Sequence, residues 1–187
     1  MSTTVKDQKN TPAILAGLFG DVAWIRVQGK GSFQNSPNLR AFADHMVSMG
    51  QMHLVVDLEE CPVMDSTFMG TLTGIALILQ GHPGSLLELI NPNARNTELV
   101  QSLGLDQILE LDTKGESWSK ERELVRENVT QSISVAPLDR TEHKEHVLHA
   151  HEALCQANAE NESRFSDVLE YLKQDVAETR EAKAKDT

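Results

Sequence analysis

The sequence contains no stretch approaching the ~20 consecutive apolar residues needed to cross a bilayer, and its polar start, Met1 to Asn10, lacks the apolar core of a signal peptide. A cytoplasmic protein is expected. It has only two cysteines, Cys61 and Cys155, in different segments and without paired spacing. That excludes a disulfide framework and gives no sign of a zinc site, so reduced thiols are the default. Positive charge is also scarce. Seventeen Lys and Arg face 28 Asp and Glu, a formal charge of −11 over 187 residues. Nucleic acid and anionic membrane surfaces both select a basic face, so neither is an expected partner, whereas a protein with a basic face is. Also missing are a glycine-rich phosphate loop, a Gly-x-Ser-x-Gly elbow, a nucleophile with a base nearby in sequence, and any internal repeat. No enzymatic activity, cofactor or metal is expected.

What is present is most informative between Asp57 and Gly70. The run His53 to Leu58 is short, apolar and partly β-branched, as in a buried strand. A loop containing Pro62 ends it. From Phe68 onward, Met69, Leu72, Ile75, Ala76 and Leu79 recur at three- and four-residue spacing, which predicts an amphipathic helix starting near Ser66, with Asp65 or Ser66 as its cap. Two adjacent hydroxyls, Ser66 and Thr67, therefore sit where a strand hands over to a helix. Helix starts present unpaired N–H groups and partial positive charge, so a phosphate on Ser66 would be stabilised there. The plainer alternative is that Ser66 only caps the helix.

The flanking elements follow from the same patterns. Ile14 to Leu18 and Val22 to Val27 are short apolar segments joined around Gly20-Asp21, an antiparallel hairpin. Asn38 to Met49 predicts a helix with Leu39, Phe42, Ala43 and Met46 inward, closed by Gly50. After the 53–58 strand and the 66–79 helix come a strand at Leu86 to Ile90, a helix from Asn93 to Leu103, and a last strand at Ile108 to Leu111. Strands alternating with crossover helices imply an α/β fold, a small mixed sheet with helices packed on it.

The motif Met64-Asp65-Ser66-Thr67-Phe68-Met69-Gly70, preceded by Val55-Val56-Asp57-Leu58, resembles the signature of STAS domains, specifically the bacterial anti-sigma factor antagonists. The resemblance extends over roughly Ala13 to Leu111 and fits the element order. It implies a regulatory binding protein whose Ser66 is phosphorylated by a partner kinase that doubles as an anti-sigma factor. It also implies a partner-binding rim around the acceptor, here Lys30, Ser32, Asn35, Asp65, Thr67 and Phe68. Two departures stand out. Many antagonists carry Gly-x-Leu-Asp after the second strand, where this chain has Gly29-Lys30-Gly31-Ser32-Phe33-Gln34-Asn35 and no acid. Either Lys30, Ser32 and Asn35 line a less acidic rim, more tolerant of phosphate, or the loop only bridges sheet and helix. The glycine usual after the second hydroxyl is replaced by Phe68, a docking anchor or a core residue.

Beyond Leu111 the pattern changes. Residues 112–139 are polar with Gly115 and Pro137 as breakers, and read as a linker in which Lys120 to Glu127 can form a short helix. From Arg140 onward there is no Pro or Gly, which predicts a helical extension over 140–187. As heptads, its seam is Val147, His151, Leu154, Asn158, Asn161, Phe165, Val168 and Leu172, favouring one long helix with a weak middle at its two asparagines. Its stripe of Phe165, Val168, Leu169, Leu172 and Val176 is too apolar to stay in water. It either folds back on residues 1–111 or forms a homodimer or partner interface. His143, His146, His149 and His151 alternate with Glu142, Glu145 and Glu152; a metal could bind there, but no His-Glu-x-x-His is present and a solvated face is the better account. Two functions remain open: a phosphorylation-switched regulator binding an anti-sigma factor or related kinase, and a ligand-sensing or scaffold STAS module without phosphorylation, assembling through its C-terminal helix.

Overall fold

The computed structural model describes residues 13–185, so the polar N-terminal stretch lies outside the described residues. Among these, β1 (Ala13–Phe19) and β2 (Val22–Gln28) form an antiparallel hairpin whose Phe19↔Val22 pairing leaves Gly20-Asp21 as a two-residue turn. Gly20, at φ 62°, supplies the left-handed backbone this turn requires. Next come α1 (Ser36–Ser48), β3 (His53–Asp57), α2 (Ser66–Gln80), β4 (Leu86–Ile90), α3 (Ala94–Ser102) and β5 (Glu110–Asp112). The sheet order is β1-β2-β3-β4-β5, with every pair after the hairpin parallel. This is the mixed α/β sheet the pattern predicts, with element ends shifted by a residue or two.

β2 is buried along Val22 to Val27 because both faces of the sheet are covered. Ala23, Ile25 and Val27 face the main core, which also holds Leu39, Leu54, Val56, Phe68, Leu72, Leu89 and Val100. Trp24 faces the other way, with Val55 and Ile90, against Val125 and Val129. The cover on that second face is the segment expected as a linker. It contains α4 (Glu121–Asn128) and is tied down at several points. Buried Arg26 donates to the carbonyls of Arg126 and Val129 at 3.1 and 3.2 Å. Trp118 meets Trp24 edge-on at 5.4 Å and donates its indole N–H to buried Glu88 at 2.7 Å. The chain then runs beside β1, where the Ala16 N–H donates to Gln131 O and the Ile133 N–H to Ile14 O. This occupies the edge of the sheet. The apolar positions responsible, Val125, Val129 and Ile133, are too sparse to give a period in sequence.

The extension is two antiparallel helices rather than one, α5 (Arg140–Ala157) and α6 (Glu160–Lys185). The break falls at the two asparagines expected as weak layers of a continuous seam. Asn158 adopts an extended backbone, and the fully buried Asn161 side chain donates to Leu154 O and Leu103 O at 2.9 and 3.0 Å. An asparagine that can bond carbonyls across a turn stabilises a break better than a buried seam. α5 opens with a capping box at Asp139 and Glu142. Leu148, Leu172 and Val176 join the two helices, flanked by ion pairs Lys144–Asp175, Glu145–Arg180 and Asp139–Lys183. Phe165 and Leu154 pack on the main core, so most of the apolar stripe is covered within the chain while Val168 stays exposed. No helix among the described residues is long and apolar enough to cross a membrane.

Candidate functional site: the Ser66 junction and the helix over it

The strand-to-helix junction is held by Asp65. Its carboxylate accepts from the Phe68 N–H at 2.9 Å, capping α2, and from the Phe33 N–H at 3.1 Å, which fixes the 30–36 loop. Two further bonds, Gly31 N–H to Val63 O and Asp65 N–H to Gly31 O, join the same two segments. Ser66 is the first residue of α2, half-buried. Its Oγ lies 3.1 Å from Nε2 of His151 on α5. His151 is 5 % exposed, and its Nδ1 is 2.8 Å from the carbonyl of Val147. A carbonyl only accepts, so Nδ1 carries a proton and donates to it, which turns Nε2 towards the Ser66 hydroxyl.

Five residues earlier on α5, His146 Nε2 sits 2.8 Å from Ser36 Oγ and 3.4 Å from Thr71 Oγ1. Burial, with the nearby positive charge of His143, Arg40 and His149, pushes the His146 pKa down to about 4. His143 meets Phe33 edge-on at 5.6 Å. α5 approaches α2 very closely because Gly70 and Gly74 line the contact. A Cβ on Gly70 would lie 2.1 Å from Ala150 O, and one on Gly74 would lie 3.7 Å from Ala153 Cβ. Only a glycine fits at the first of these.

Of the residues expected on a partner rim, Lys30 is exposed and Asp65 half-buried. Ser32, Asn35, Thr67 and Phe68 are buried, which corrects their placement. Asn35 faces inward, accepting from the Ser32 N–H and donating to Lys30 O, so the loop bridges sheet and helix rather than presenting these side chains. Phe68 is a core residue, and its ring fills the space beside Gly31, where a Cβ would lie 2.9 Å from it. The bulk gained at 68 is matched by the side chain absent at 31. The alternation with glutamate predicts a solvated face, which holds for exposed His149; His151, also a seam position, is buried, and His143 and His146 are half-buried against the junction. The usable signal was His151 inside the apolar seam, together with two glycines one turn apart on α2. Among the described residues no set of three or more His, Cys, Asp or Glu is placed to hold a metal ion.

The family model described as the MlaB-type STAS domain matches residues 18–110. The chain carries a STAS domain. The crystal structure of a candidate anti-sigma factor antagonist from Thermotoga maritima is 18% identical with a TM-score of 0.51, over 60% of this chain and 94% of that one. A solution structure of the protein TM1081 gives 17% and 0.51, over 67% and 98%. The phosphorylated form of the Bacillus cell fate determinant SpoIIAA gives 20% and 0.47, over 58% and 98%. No curated protein matches. At these identities the first two likenesses establish the STAS fold. α4, α5 and α6 lie beyond the residues the STAS model matches.

Proposed function

We propose that this STAS-domain regulator works in the cytoplasm by binding a partner protein, an anti-sigma factor or serine kinase, and that phosphorylation of Ser66 switches the binding. The observation that carries this reading is the position of Ser66 as the first residue of a fifteen-residue helix, on the motif that resembles the antagonist signature. There the unpaired N–H groups and partial positive charge of α2 stabilise an added phosphate without melting the helix. Adding about −1.5 to −2 charges to a docking surface repels acidic groups and raises the cost of desolvation, so the partner is released. The protein acts by binding, without catalysis or cofactor. Thr67, the neighbouring hydroxyl, is only 5 % exposed, which supports Ser66 as the acceptor.

A second reading is favoured by one contact, the Ser66 hydroxyl bonded to His151 beneath α5. In it Ser66 is structural and the chain is a scaffold, assembling as a homodimer through the outer face of α6, where Val168 and Tyr171 are exposed. Protein isolated from its native cells separates the two. Phosphate on Ser66, its loss in Ser66→Ala, and a copurifying anti-sigma factor or kinase missing from Ser66→Asp support the switch. An unmodified Ser66 in a protein that sediments as a constitutive dimer supports the scaffold.

A further inference from the structure

The face of α2 between Ser66 and Gly74 is covered by α5. Neither side of the contact is built like a core. α2 contributes two glycines and the hydroxyls of Ser66 and Thr71, and α5 contributes Ala150, Ala153 and two histidines. Burying such small side chains removes little apolar area from water, and their hydrogen bonds are replaced by water at low net cost. What gives the contact specificity is shape, because Gly70 admits another helix's backbone where any side chain would clash. The far end of the hairpin is different. Leu154 is fully buried in the main core, Asn161 bonds Leu103 O, and Arg164 donates to Ser102 O. α5 is thus fixed near residues 154–164 and held over Ser66 by exchangeable contacts.

The matched STAS residues end at 110, and the Thermotoga maritima structure shares the fold across 94% of its own length by covering 60% of this chain. The hairpin lies outside the matched STAS residues. The Ser66 hydroxyl is bonded to His151, so a phosphoryl group on it takes away this contact with α5.

We infer that the Gly70–Gly74 face of α2 is a docking surface for a partner helix presenting small residues three apart, and that α5 occupies it in cis as a stand-in the partner displaces. The occupant's chemistry follows from α5, whose Ala150 and Ala153 have that spacing. The partner brings a helix with Gly, Ala or Ser at both positions, and α5 pivots away about its Leu154–Asn161 anchor. This rests on the reading of Ser66 as the acceptor, because the same surface is the one the phosphate controls.

The test uses the full chain and, as probe, a labelled peptide of residues 140–157. Ala153→Leu sets a branched side chain against Gly74 and leaves α2 unaltered. Amide exchange in residues 140–151 is expected to accelerate at least tenfold with β2 to β4 unchanged, and the peptide is expected to bind this variant at least tenfold more tightly than the wild type. Gly70→Ala, which fills the receiving face, is expected to free α5 equally but to bind no peptide. Should Ala153→Leu fail to fold, His146→Arg opens the same contact by another route. If no variant loosens α5 without also loosening the sheet, α5 is a fixed part of the domain and the inference is wrong. If α5 loosens and the peptide does not tell the variants apart, the face is not a docking surface. Absence of phosphate on Ser66 in native cells would remove the switch reading while leaving these binding results intact.

Discussion

The two sides of α2 are built by opposite rules. The inner side sets Phe68, Leu72, Ile75 and Leu79 into the main core, each at most 2 % exposed. The outer side offers Ser66, Gly70, Thr71 and Gly74 to α5, with hydrogen bonds through histidine and almost no branched side chains. Apolar burial scales with area, so the inner side holds the helix permanently, whereas the outer side chiefly sets which shape can lie against it. Stability and exchangeability are thus separated within a single helix.

The contrast can be broken most forcefully from inside. Phe68→Ala removes a fully buried ring, and is expected to cost about 3–5 kcal/mol of unfolding free energy in a urea titration. A loss below about 1 kcal/mol would mean that α2 is not held by its inner face. The second effect concerns acidity. Docked His146 has its pKa depressed to about 4, below the ordinary 6.5 of a free histidine, so docking favours the neutral ring. Its contribution is full above pH 6.5 and is lost as pH falls towards 4. The groups around it are the Ser36 hydroxyl, Arg40 and Asp44 on α1, the Thr71 hydroxyl on α2, and Glu142, His143, Glu145 and His149 on α5 itself. Docking of α5 is expected to weaken by up to about tenfold per pH unit in this window, less where solvent screens the ring. Exchange of α5 amides, compared with those of β3, reads this directly, and His146→Gln should flatten the profile.

Smaller effects sharpen the comparison. Arg26→Ala removes donors to two carbonyls at the end of α4, with an expected cost of about 1.5–3 kcal/mol, and frees residues 126–133 in exchange before α5 moves. Simultaneous release of both would show that the two covers are coupled. Ser66→Ala gives up one hydroxyl contact and is expected to cost roughly 1 kcal/mol, because Asp65 rather than Ser66 caps the helix. The melting temperature checks it, and a large drop would mark Ser66 as structural.

The mixed sheet, the order of its elements along the chain and the three helices between its strands were legible in the sequence, because each carries a clear period or a turn residue such as Gly20. The Ser66 junction was legible for the same reason. Its surroundings were not. Residues 112–139 are polar on average, and what docks them is a few separated side chains, Trp118, Val125 and Val129, together with Arg26 reaching from β2. The heptad register through Asn158 and Asn161 took two turn-forming residues for a weakened seam, because side-chain bonds to carbonyls leave no periodic trace. The histidines on α5 alternate with glutamates as a solvated face does, and only the glycines of α2 reveal that another helix lies there. A contact made of small residues has little hydrophobic signal to read.

The placement of the aromatic residues gives the molecule a built-in optical separation. Both tryptophans, Trp24 and Trp118, meet edge-on on the α4 side of the sheet, and the single tyrosine, Tyr171, projects from the outer surface of α6. Tryptophan emission therefore reports the β2–α4 layer and is blind to whatever α5 does above Ser66. A change in helical signal with constant emission marks movement of the hairpin alone, and a red shift marks loss of the domain itself. The unmodified chain can thus distinguish the proposed release of α5 from unfolding without an added dye.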